Sequence, residues 1–219
     1  MPPKPKFTKE EVIATSIALI AEKGTESFSA REIAKKLGTS VSPIFTAFGN
    51  MDNLESEVRE AIMCRFNAHL KKAAAYKPAF KEVGIRMVRF AKEEPELFKM
   101  LFMTENAGEK APEIVFGNLG EMEDLCINLI RRDYGLERSD AIMLFQHVWT
   151  YTYGICAMCA SCVCTFPEEE LFKRLGVQFY AIMTFIKSGK ANIQTPVPEF
   201  SSEEAARHGQ MWQELRKED

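Results

Sequence analysis

The sequence predicts an all-α fold, and three observations carry that prediction. Apolar residues recur at helical spacing along most of the chain. Local start and stop signals frame these runs. No segment shows the apolar–polar alternation of a strand, and no Asn-Gly or Asp-Gly turn joins strand-like runs. With 219 residues, 46% hydrophobic and 27% charged, the chain has material for a sizeable core and one or two domains.

Thr8 is placed to cap the first helix, and Glu11 three residues on completes a capping-box spacing. Val12, Ile13, Ser16, Ile17 and Ile20 form its apolar face, and Gly24 ends it. Ser29 caps a second, short helix that turns Ile33, Ala34 and Leu37 inward and stops at Gly38. Thr39 and Ser40 turn the chain, and a third short helix covers about 41–47. Asp52 is the expected cap of a long fourth helix to about Ala75, with Leu54, Val58, Ala61, Ile62, Arg65 and His69 along one side. Beyond Pro78, more helices are punctuated by Pro95, Gly108 with Pro112, Gly135 and Pro167. The last two, about 139–164 and 167–188, are the longest and are apolar over much of their circumference, which implies burial on more than one side. A Pro/Lys tail precedes Phe7, and a polar tail follows Gly189, with a short exposed helix expected around 202–216. The division that results is a tail and three-helix unit over 1–51, a helical body over 52–190, and a C-terminal tail over 191–219.

Charge separates the first unit from the rest. Residues 1–50 carry Lys4, Lys6, Lys9, Lys23, Arg31, Lys35 and Lys36 against Glu10, Glu11, Glu22, Glu26 and Glu32, so +2 within a chain of net charge −3. A mildly basic head on an acidic body fits a DNA-contacting end and a body that does not touch DNA. No run of about 18 apolar residues suggests a membrane span, and the N-terminus lacks an apolar signal-peptide core. The expected location is the cytoplasm, where the six cysteines stay reduced. An enzyme finds little support: there is no phosphate loop, no Gly-x-Ser-x-Gly elbow and no His-Glu-x-x-His, and none of the three histidines neighbours a nucleophile in sequence. No cofactor or metal is expected.

The segment from Ser29 to Phe48 has the physics of a helix-turn-helix. Ala34 is small enough for a second helix to pack closely above it, and Gly38 permits a turn that a Cβ would penalise. Ile33, Leu37, Ile44 and Phe48 tie both short helices to the first one. Ser40, Ser42, Pro43, Thr46 and Ala47 point outward, small enough to enter a major groove.

From Val12 to Leu54 the chain resembles the TetR/AcrR family of transcriptional regulators. The carrying residues are the helix ending in Gly24, then Ser29-x-x-x-Ile33-Ala34-x-x-x-Gly38-x-Ser40, then Ile44-Phe45-x-x-Phe48, then Asp52-x-Leu54. The resemblance implies a DNA-binding repressor, relieved by a ligand and acting as a homodimer on a palindromic operator. It implies that Ser29 and its helix N-terminus meet a phosphate and that Arg31 reads a base or phosphate. It further implies that Ser40, Val41, Ser42 and Pro43 begin the recognition helix, with Phe45 and Thr46 at an aromatic position and its backbone-contacting neighbour. Two positions depart from the family pattern: Phe45 replaces the usual Tyr, and Met51 the usual Lys, so two phosphate-gripping groups are missing.

The resemblance also implies that the two long C-terminal helices form a four-helix bundle with a partner copy. A small, largely apolar effector is expected in a cavity drawing on Met87, Met100, Met103, Phe116, Met122, Met143 and Tyr151, with His69 or His147 as polar handles. The segment Trp149–Gly154 looks like a family aromatic–Gly signature, with Gly154 allowing close helix approach. Cys156, Cys159, Cys162 and Cys164 lie three or two apart; on a helix they fan across a face rather than converge, which fits small apolar filler over thiol sensing or metal binding.

Overall fold

The computed structural model describes residues 7–104 and 119–189, and every regular element within them is a helix. In order they are α1 (Lys9–Lys23), α2 (Ala30–Leu37), α3 (Ser42–Phe48), α4 (Met51–Lys71), α5 (Ala79–Glu93), α6 (Pro95–Phe102), α7 (Glu121–Tyr134), α8 (Arg138–Ala160) and α9 (Glu168–Lys187), with 3₁₀ turns at Thr25–Ser27 and Lys72–Ala75. The expected N-terminal tail, the Gly108/Pro112 break and the helix around 202–216 lie outside the described residues.

Most starts and stops follow from local chemistry. The Thr8 hydroxyl oxygen accepts from the Glu11 N–H at 3.2 Å, and the Glu11 carboxylate accepts from the Thr8 N–H at 2.8 Å, closing the capping box. Ser29 caps α2 by accepting from Glu32 N–H at 3.3 Å. Gly38 takes the left-handed conformation (φ 66°, ψ 39°), and the Thr39 N–H donates back to the Ala34 carbonyl at 2.9 Å.

Three boundaries differ from the sequence expectation, one being the end of α4, which stops at Lys71 and gives way to the 3₁₀ turn Lys72–Ala75. α4 is capped by Asn50, not Asp52: Asn50 Oδ1 accepts from Asn53 N–H at 2.8 Å, while Asn53 Nδ2 donates to the Phe48 carbonyl at 2.9 Å and so ties the end of α3 to the start of α4. Asp52 then lies in the first turn, where a carboxylate suits the helix dipole. α8 stops at Ala160 rather than near Cys164, because Cys162 enters the left-handed region at φ 56° and the Val163 N–H folds back to the Met158 carbonyl at 3.0 Å.

α1 packs against α2, α3 and α4 to make the head, and α8 packs against α5, α6, α7 and α9 to make the body. The two share one continuous core. α4 runs through both, burying Leu54, Val58, Ile62, Phe66 and Leu70 at i, i+4 spacing. Arg65, expected on that inner side, is exposed and pairs with Glu94. α6 is a second bridge, touching α1 and the Thr25–Ser27 turn. Its orphan carbonyls find donors across the body: the Arg59 guanidinium from α4 reaches those of Met100 and Leu101 (3.0 Å to Leu101), and the Tyr153 hydroxyl from α8 donates to Phe102 at 2.9 Å. Phe66, Phe98, Phe102 and Tyr153 stack around this junction.

Candidate nucleic-acid interface

The α2–turn–α3 unit presents one buried and one open face. Ala30, Ile33 and Ala34 of α2 and Ile44 and Phe48 of α3 are buried against α1 and α4. Leu37 is half-buried beside them.

On the open side, Arg31 and Lys35 are exposed one turn apart on α2, and neither takes part in an ion pair among the described residues. The neighbouring cations are engaged. Lys36 pairs with Glu22 at 2.6 Å, and that hydrogen bond holds the Glu22 carboxyl below its ordinary range. Lys23 lies 4.0 Å from Glu32. Lys9 pairs with Glu57 at 2.7 Å and covers the Phe48 ring.

α3 itself carries no charge. Ser40, Ser42 and Thr46 are exposed, Val41 and Pro43 half-buried, and Pro43 occupies the first turn, where its missing N–H costs nothing. The Thr46 hydroxyl donates to the Ser42 carbonyl at 2.9 Å. Phe45 is 40% exposed despite its size. Ser29 is half-buried; its oxygen is occupied by the cap, which leaves its hydroxyl hydrogen to donate. Met51 takes the first position of α4, half-buried against the core.

Among the described residues, the expected effector side chains differ in burial. Met87, Met100 and Met122 are closed within the core. Met143 and Tyr151 are half-buried, with Tyr151 beside Arg174. Met103 is 41% exposed, and His147, expected as a polar handle, is exposed on α8. Phe116 lies outside the described residues. His69 borders a surface cleft with Arg65, Lys72, Phe90, Glu93 and Glu94. Burial, then the charge of Arg86, holds its pKa below the ordinary value, and its Nε2 is buried without a hydrogen-bond partner.

A groove that sequence reasoning missed lies between α5, α7, α8 and α9. It encloses a cavity of about 60 Å³, with Phe80, Val148, Leu175 and Phe179 as apolar wall and Thr152, Tyr134 and Lys81 as polar groups. Helices meet closely at Gly84, where a Cβ would lie 3.6 Å from Leu175. At Gly154, read from sequence as the close approach, a Cβ would meet nothing within 4 Å.

The cysteines divide. Burial raises the Cys126 thiol to about 12 and that of Cys156 well above its ordinary value, and Cys159 is also raised by burial. Cys162 is exposed and Cys164 half-buried. Among the described residues no three His, Cys, Asp or Glu side chains converge on a metal position, and no helix is long and apolar enough to cross a membrane.

Comparison with known proteins bears on this geometry directly. Residues 12–58 match the family model described as bacterial regulatory proteins, tetR family. A search of curated proteins found no match. Among solved structures, a TetR-like transcriptional regulator from Rhodococcus sp. RHA1 is similar in fold at TM-score 0.60 and 14% identity, over 83% of this chain and 99% of that one. A member of the TetR family from Streptomyces coelicolor A3 gives TM-score 0.56 at 14% identity, over 80% and 98%. A TetR variant from Acinetobacter baumannii AYE in complex with minocycline gives 0.53 at 19% identity, over 84% and 98%.

Proposed function

We propose that this TetR-family, DNA-binding regulator is a repressor: a homodimer that reads a two-fold symmetric operator and leaves it when a small, largely apolar ligand binds the body. The observation that carries this reading is the α2–α3 face. Its inner residues are buried in the core, while Arg31, Lys35, Ser40, Ser42 and Thr46 are exposed. Arg31 and Lys35 suit phosphates, as does the Ser29 hydroxyl at the start of α2. Ser40, Val41, Ser42, Pro43, Phe45 and Thr46 suit the groove.

Dimerisation is supported by α9, where Val177 and Tyr180 are 64% and 71% exposed and Phe185 lies one to two turns further along. A ligand-binding body is supported by the groove at Phe80 and Thr152 and by the minocycline complex of a protein of the same fold. In this reading α4 is the transmitting element. It starts beside α3, and Arg59 clamps it to α6, so a ligand with different affinity for two body arrangements shifts the spacing of paired α3 helices.

A second reading keeps the fold and removes the DNA: a dimeric ligand- or thiol-sensing protein. Met51, apolar at the start of α4, and Phe45, without a hydroxyl, favour it. A gel shift with DNA upstream of the chain's own gene separates the two. The repressor reading expects a shift that weakens steeply with salt; no salt-sensitive shift with any neighbouring intergenic DNA contradicts it.

A further inference from the structure

At 100° per residue, the burial of Ile44 and Phe48 sets the directions of every other side chain on α3. Ser42 and Thr46 lie opposite the core, with Phe45 on one flank and Pro43 on the other. The helix has no Arg, Lys, Asn, Gln, Asp or Glu. The bidentate contacts that single out guanine or adenine, and the carboxylate contact that singles out cytosine, therefore have no source on it. Serine and threonine hydroxyls accept any of several base edges, and that of Thr46 already donates to the Ser42 carbonyl. What remains distinctive on this surface is apolar: above all the exposed Phe45 ring, with half-buried Val41 at the start of the helix and half-buried Pro43 and Ala47 on its other flank. The apolar feature that bases display in the major groove is the 5-methyl group of thymine. Arg31 and Lys35, which take part in no ion pair among the described residues, sit on α2 and not on α3.

We infer that α3 selects its site through thymine 5-methyl groups packed against Phe45, with hydroxyls and phosphate contacts fixing register. This rests on the reading of α2 and α3 as a DNA-binding pair. Phe45 is then the specificity-determining residue, and its missing hydroxyl is part of the selection rather than only a lost phosphate contact.

The test uses the purified full chain. A random-sequence duplex library is selected for binding, and each thymine of the selected duplex is then replaced by deoxyuridine, which removes only the methyl group. Burying one methyl corresponds to roughly a three- to fivefold change in affinity, so symmetric replacement in both half-sites should weaken wild type by about tenfold at one or two thymine positions. In Phe45→Ala the same replacements should cost less than about twofold, and Phe45→Leu should retain part of the penalty. Because Phe45 is partly exposed and lies outside the buried core, both variants are expected to stay folded, which an unchanged helical circular dichroism spectrum checks. If no deoxyuridine weakens wild type, or if Phe45→Ala shows the full penalty, the inference is overturned while DNA reading stands. If the library yields no bound sequence at all, the DNA-binding proposal falls and takes this one with it.

Discussion

At the residue scale, polar groups at helix ends decide where elements begin and how they join. Asp133 is one that local sequence patterns do not reveal. Its carboxylate accepts from the Ala79 N–H at 2.8 Å at the start of α5, 54 residues away, and from Arg132 at 2.7 Å. The hydrogen bond from Arg132, followed by that from Ala79, outweighs burial and holds its carboxyl below the ordinary 3.8. A depressed folded-state pKa means that the ionised form stabilises the fold. That contribution is fully present above about pH 4 and is lost as pH falls further, through the folded value. Asp133→Asn should therefore melt lower than wild type at neutral pH and lose less stability on acidification below about pH 4. A melting series across that range checks this, and an acid limb identical to wild type would contradict it.

At the element scale, α1, α2, α3 and α9 were readable in the sequence because their limits are set by neighbours in the chain. Thr8 with Glu11, Ser29 and Gly38 act within a few residues of where they stand. The start of α4 was misread because Asn50 and Asp52 both suit a cap. The choice falls to Asn53, whose side chain holds the Phe48 carbonyl. Which residues line a cavity is less legible in a sequence. A methionine filling a core and one lining a cavity show the same helical spacing, and the groove at Gly84 is assembled from four helices remote in sequence. The contact of α4 with α6 is likewise non-local. Arg59→Met keeps the stem of the side chain but leaves the Leu101 carbonyl without that donor, which should lower stability by about 1–3 kcal/mol. Chemical denaturation followed by circular dichroism measures this, and an unchanged midpoint would show that the clamp does not hold the two helices.

At the scale of the whole molecule, head and body share one core, so a change in the body has a material path to α3 through α4 and α6. The proposed dimer uses the outer face of α9. Sedimentation should find two copies in wild type and one in the Val177→Lys, Tyr180→Glu double variant, with helix content unchanged. A wild-type chain that sediments as a single copy at micromolar concentration would remove the two-fold reading of DNA.

The claim that α2 and α3 form a DNA-reading face is tested most directly by the salt dependence of binding to a selected duplex, wild type against Arg31→Ala, Lys35→Ala. Four cations are lost per dimer, and each phosphate contact contributes about 0.9 to the slope of log affinity against log salt. The slope should fall by about three to four units in the double variant, with melting unchanged. Equal slopes in the two proteins, or binding indifferent to salt, would contradict the account.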